Sequence, residues 1–178
     1  TQRYLSNALY RPLKLFTHIS SLRRVFEAGL ILRILYASSA IYLPLYLNTT
    51  AGFSWDQIGV IFTFMLLPFL LFEIPFGIIA DKWLGIKEIM FAGFVVTSLC
   101  MFGIFYITDI SFLAVSLLLF ISRVGASAIE VTTETYFFMQ VKDDSSDLIA
   151  FFRIAVPLSF ILTPVILGYF IESNGYQY

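Results

Sequence analysis

Charge is scarce in this chain. Asp, Glu, Lys and Arg make up 13% of its 178 residues, about half of the roughly 25% that a soluble domain carries. So little charge could not keep the surface of a water-soluble fold solvated, and that class is excluded. Cysteine and histidine are almost missing, with one of each. Cys100 lies in an apolar run with no possible internal disulfide partner, and it reads as packing. His18 has no second His or Cys at ligand spacing and reads as a surface residue, so no metal is expected. No phosphate-cradling glycine loop, nucleophile–base set or His/Asp/Cys cluster at a membrane face is visible. Neither an enzyme nor a cofactor is expected, nor is a nucleic-acid partner. The opening TQRYLSNALYRPLK has no apolar core of a signal peptide and no initiator methionine, so the sequence is expected to be a piece of a longer protein.

What the chain has in abundance is apolar bulk: 59% hydrophobic residues, 20 of them phenylalanine. A bilayer is the solvent that such a composition suits, and a spanning helix needs about 20 apolar residues. Five runs qualify, at about 29–48, 58–80, 89–107, 111–139 and 148–171. An all-α membrane protein follows, with residues 29–178 as a transmembrane bundle and residues 1–28 as a basic cytoplasmic segment. Leu5, Leu9, Leu13, Phe16 and Ile19 recur in that segment at helix-like spacing. Pro12 argues for a break within it; an amphipathic helix and a partly ordered linker both remain open. Among the connections, Ser54 with Gln57 three residues on has the form of a helix N-cap. "TDI" around Asp109 reads as a tight turn and "KDDSSD" as a polar loop.

Lys and Arg are absent from the connections after runs one, three and five. Arg3, Arg11, Lys14, Arg23 and Arg24 precede the first run, Lys82 and Lys87 follow the second, and Lys142 follows the fourth. Arg33 sits in the first turns of its run, within reach of the near interface by snorkelling. The positive-inside rule then puts the N-terminus and the 81–88 and 140–147 loops in the cytoplasm, as expected for a multi-pass protein of the plasma (cell inner) membrane.

Four charges fall within the runs: Glu73, Arg123, Glu130 and Arg153. A charge at the bilayer centre costs about 2.5 kcal/mol or more, so each needs a reason. Two acids and two bases at related depths suggest a self-neutralising cluster. It reads either as a clamp between helices or as a site where Glu73 or Glu130 carries a proton. Arg123, Ser127, Glu130 and Glu134 share one helical face, a polar stripe unsuited to lipid. Run one carries a second polar face at Ser38, Ser39, Tyr42 and Tyr46, whose tyrosines also read as interface anchors. Pro68 and Pro75 lie seven residues apart in run two, and Pro157 and Pro164 do so in run five. Such matching of helices is found across the inverted repeats of secondary transporters.

The stretch GIIADKWLGIK, residues 77–87, resembles the cytoplasmic loop signature of the major facilitator superfamily. Gly77, Asp81, Lys82, Gly85 and Lys87 match that signature in kind. "KWL" makes the gap from Asp81 to Gly85 one residue longer than the family spacing, and the basic positions after Gly85 are thinner. "SRVGASAIE", with Arg123 and Gly125, is similar to the family's arginine-bearing fourth helix. The resemblance implies five helices of a six-helix half, with the second half favoured, the sixth helix beyond Tyr178 and the other half of the same chain as partner. It implies a secondary active transporter that moves a small-molecule solute across the lipid bilayer by alternating access, possible proton coupling included. Asp81 would act as a conformational latch, and Ser38, Ser39, Tyr42 and Ser127 would border the solute path. A transporter-like scaffold or sensor that moves nothing is the alternative. Physically, Asp81 at a helix C-terminus opposes that helix's dipole and needs a partner from elsewhere. Gly77 and Gly85 are expected to allow close helix approach and a sharp reversal.

Overall fold

The computed structural model describes residues 12, 14, 16, 18–106, 111–141 and 146–173. Arg3, Arg11, Leu5, Leu9 and Leu13 of the basic segment, the "TDI" turn and Lys142 with most of the "KDDSSD" loop lie outside the described residues. Five helices account for nearly all of the rest: α1 (Ser20–Thr49), α2 (Trp55–Ile79), α3 (Ile86–Tyr106), α4 (Phe112–Gln140) and α5 (Ser146–Ser173). No strand occurs among the described residues, and all five helices are long and apolar enough to cross a membrane. Before α1, Pro12 is itself helical, and the described interruption falls at Ile19.

Local chemistry sets the helix ends. Gly52, at φ +73°, follows α1 in the left-handed region, and the Phe53 amide returns to Leu47 O at 2.9 Å. Ser54 then caps α2 as its spacing predicts: its Oγ accepts from the Gln57 amide at 3.3 Å, and Gln57 Oε1 accepts from the Ser54 amide at 3.0 Å. At the start of α4, Ser111 Oγ accepts from the Ala114 amide at 3.2 Å. Helices α2 and α5 run unbroken through both of their prolines.

The chain divides into two compact units, Thr1–Ile41 with Tyr136–Tyr178, and Tyr42–Thr135. In the first, Phe16, Leu22, Val25, Phe137, Leu148 and Phe152 form a buried cluster. Phe137 and Phe152 stack at 4.1 Å between centroids and 14° between planes. The guanidinium carbon of Arg33 stands 4.8 Å from the Phe152 ring centroid. Arg33 thus sits against an aromatic face, where ring quadrupole attraction offsets part of its desolvation.

The second unit has a mostly aliphatic cluster of Leu47, Phe53, Ile58, Ile61, Met65, Val115 and Leu119. It also contains the tightest helix contact described, between α3 and α4. A Cβ on Gly93 would lie 2.7 Å from Gly125 O, and one on Gly125 would lie 2.7 Å from Gly93 O. Only glycine at both positions lets the two backbones come this close. Thr97 Oγ1 donates across the same seam to Ser122 O at 3.2 Å. Half of the spanning window of α4 is buried, against 22% for each other helix, so α4 is the helix on which packing centres.

Several hydroxyls in the spans bond within their own helix. Ser38 Oγ donates to Ile34 O at 2.7 Å, Ser39 Oγ to Leu35 O at 2.8 Å, Thr63 Oγ1 to Gly59 O at 2.9 Å and Ser116 Oγ to Phe112 O at 2.7 Å. Thr132, Ser127 and Ser159 do the same with carbonyls three or four residues back. Buried Ser122 Oγ and Thr163 Oγ1 have no partner among the described residues.

Candidate functional site

The loop singled out by its glycines is a distinct structure. Helix α2 does not stop at Ile79 but widens into a π-helical turn, Ala80–Leu84, and the chain reverses at Gly85. An i→i+5 ring takes up one residue more than an α turn. The widening falls where the sequence is one residue longer than the signature it resembles. Gly85 has φ +83°, and a Cβ there would sit 2.5 Å from Glu88 Oε2. The positive φ is what calls for glycine, since the exposed Glu88 side chain could swing aside, and the sharp reversal expected of Gly85 is present. Gly77 differs. A Cβ on it would meet only Val131 Cγ1, at 3.7 Å, which is ordinary contact. The close helix approach expected there is found instead at Gly93 and Gly125.

Asp81, Lys82, Trp83 and Leu84 are all exposed, as is Lys87. Asp81 makes no hydrogen bond or ion pair among the described residues. The carboxylate stands free at the end of α2, beside carbonyls that repel it.

The stripe on α4 is graded along the helix. Arg123 is 2% exposed and Ser127 fully buried, Glu130 is half-buried and Glu134 is exposed. Buried polar groups of this kind in a spanning helix mark protein-facing or water-facing surface rather than lipid-facing surface. Glu73 on α2 and Arg153 on α5 are exposed, and neither makes an ion pair among the described residues. On α1, Ser39 is buried while Ser38 and Tyr42 are half-buried. Both serine hydroxyls are already donated to their own helix, which leaves their oxygens as acceptors. Among the described residues, no group of three or more His, Cys, Asp or Glu could hold a metal ion.

The sequence reading missed the Gly93–Gly125 seam and the aromatic nest around Phe137. The first had as signal only the small-residue spacing Gly93-x-x-x-Thr97, which Gly59-x-x-x-Thr63 shares without any close contact. The second had none, because its rings come from distant parts of the chain.

Five helices long and apolar enough to span, and a stripe on α4 that is buried at Arg123 and Ser127, fit a polytopic membrane protein. The Major Facilitator Superfamily profile matches residues 25–178, and the chain belongs to that superfamily. It is thus a multi-pass integral membrane protein, part of a transporter of the major facilitator type, a family whose members move small solutes across a lipid bilayer and are in general not enzymes. No curated protein and no solved structure matches the chain.

Proposed function

We propose that this chain forms one half of a secondary active transporter that moves a small solute by alternating access, with the Ala80–Gly85 turn as its latch. The carrying observation is Asp81: an exposed carboxylate, unpartnered among the described residues, held within a widened helical turn that ends at a positive-φ glycine. Such a group lowers its energy by meeting a cation or a helix N-terminus from another part of the transporter in one conformation and losing it in the other. The Lys/Arg distribution supports a cytoplasmic position for this latch, on the same side as the N-terminus, in a transporter we assign to the plasma membrane.

Arg123 and Ser127 border the solute path from α4, with Ser38, Ser39 and Tyr42 contributing from α1. Glu130, half-buried on α4, and Glu73 on α2 are the candidates for proton coupling, since a carboxylate within a span needs a functional reason.

The test is counterflow of candidate solutes into vesicles holding the full-length protein. Asp81→Asn is expected to slow exchange at least several-fold while leaving insertion intact, because it removes the charge and keeps the shape. Unchanged exchange would refute the latch. Tight solute binding without any counterflow would favour a sensor over a transporter.

A further inference from the structure

The chain has two tryptophans, Trp55 and Trp83, and they stand at opposite ends of one spanning helix. Trp55 is the first residue of α2, and Trp83 lies in the π turn that extends it. They are 63% and 85% exposed, large values for the most apolar-bodied of side chains. Neither indole makes a ring contact or a hydrogen bond with any described residue. An indole N–H wants an acceptor while its ring avoids water, and the bilayer's headgroup layer meets both demands at once.

The spacing fits this layer on both faces. The two positions are 28 residues apart, roughly 42 Å at about 1.5 Å per helical residue. A bilayer with its headgroup regions is about 40–45 Å thick. The surface between them suits hydrocarbon: Val60, Phe64, Leu70, Leu71, Ile74 and Ile78 are all exposed, and Glu73 is the only charge from Gln57 to Ile79. The flanks change character at both ends. Asp56 and Gln57 are exposed beside Trp55, and Lys82 and Lys87 are exposed around Trp83. Lysines there can reach headgroup phosphates. The π turn has a part in this, because four consecutive residues of it, Asp81 to Leu84, are exposed together. A narrower α turn spreads consecutive side chains further around the axis.

We infer that Trp55 and Trp83 are paired interfacial anchors, each seated in a lipid headgroup layer, and that α2 is the element that fixes the transporter's depth in the bilayer. The occupant of both sites is the bilayer's own lipid headgroup and carbonyl zone. This holds whichever solute the protein moves.

The test uses the full-length protein in phosphatidylcholine–phosphatidylglycerol vesicles, with every tryptophan but one of the pair changed to phenylalanine. Bromine is placed on the lipid chains either next to the carbonyl or at the chain end. For each tryptophan, fluorescence should be lost strongly with the shallow label and little with the deep one, with emission shifted to the blue of free indole in water. Quenching by aqueous iodide alone would mean a solvated loop, and would overturn the inference. So would strong quenching by the deep label, or protection from lipid and iodide alike, which would mean that protein covers the site. If the phenylalanine background does not insert, spin labels on Trp55→Cys and Trp83→Cys give the same depths from their relative access to oxygen and to a water-soluble relaxant. Oxygen and relaxant access matching bulk water at either label would equally overturn it.

Discussion

Around Phe137 the chain packs ring on ring, whereas at Gly93 it packs backbone on backbone. In the first unit a buried phenylalanine stacks on Phe152, which in turn faces the Arg33 guanidinium. In the second, two glycines remove their side chains so that carbonyl oxygens take the place a Cβ would need. The difference follows from the solvent. In hydrocarbon there is little hydrophobic drive to bring helices together, so contact area and close approach must supply the attraction. Large flat rings supply area at low entropic cost. Glycines supply proximity, with weak Cα–H···O contacts across the seam.

The two strategies differ in what breaks them. Phe137→Ala empties a fully buried, stacked position and is expected to cost about 3–5 kcal/mol. The unfolding midpoint of the purified full-length protein in detergent would show it, and a change within error would mean that the nest is decoration. Gly93→Ala acts in the opposite sense, by adding atoms. Its Cβ would meet Gly125 O at 2.7 Å, so about 1–3 kcal/mol of overpacking is expected despite alanine's better helix propensity. Gly59→Ala is the matched control, because nothing lies within 4 Å of its Cβ, and the same assay should show no loss. Equal loss at both glycines would remove the seam from the argument. The smallest effect is expected of Thr97→Val, which keeps the shape and deletes the hydrogen bond to Ser122 O. About 0.6 kcal/mol is typical of such bonds between membrane helices, and a double cycle with Gly93→Ala measures whether the bond depends on the close approach.

The number and kind of helices were legible because a bilayer imposes one strong rule, a long apolar run with every backbone group bonded internally. The Ser54–Gln57 cap was legible because it is local. Packing partners were not. Gly59, Gly93, Gly125 and Gly168 look alike in sequence, yet two of them face open space and two are pressed against backbone. The charges show the same limit. Depth along a helix can be counted, so Glu73 and Arg123 read as level with each other. Which way each points cannot be counted, and Arg123 proves buried while Glu73 is exposed. In the loop, the extra residue before Gly85 was plain, but the π turn that houses it required the backbone.

The back-bonded hydroxyls bear on how the protein is made. A ribosome delivers a membrane chain from its N-terminus, and early helices meet lipid before their later partners exist. A free hydroxyl would then seek any acceptor, a wrong helix included. Ser38, Ser39, Thr63 and Ser116 already donate to carbonyls of their own helices, so α1, α2 and α4 can each enter the bilayer with these groups satisfied. The Thr97 bond to Ser122 is different, because it cannot form until α4 has followed α3 into the membrane. The chemistry of these side chains thus separates insertion, helix by helix, from assembly, which waits for the glycine seam to close.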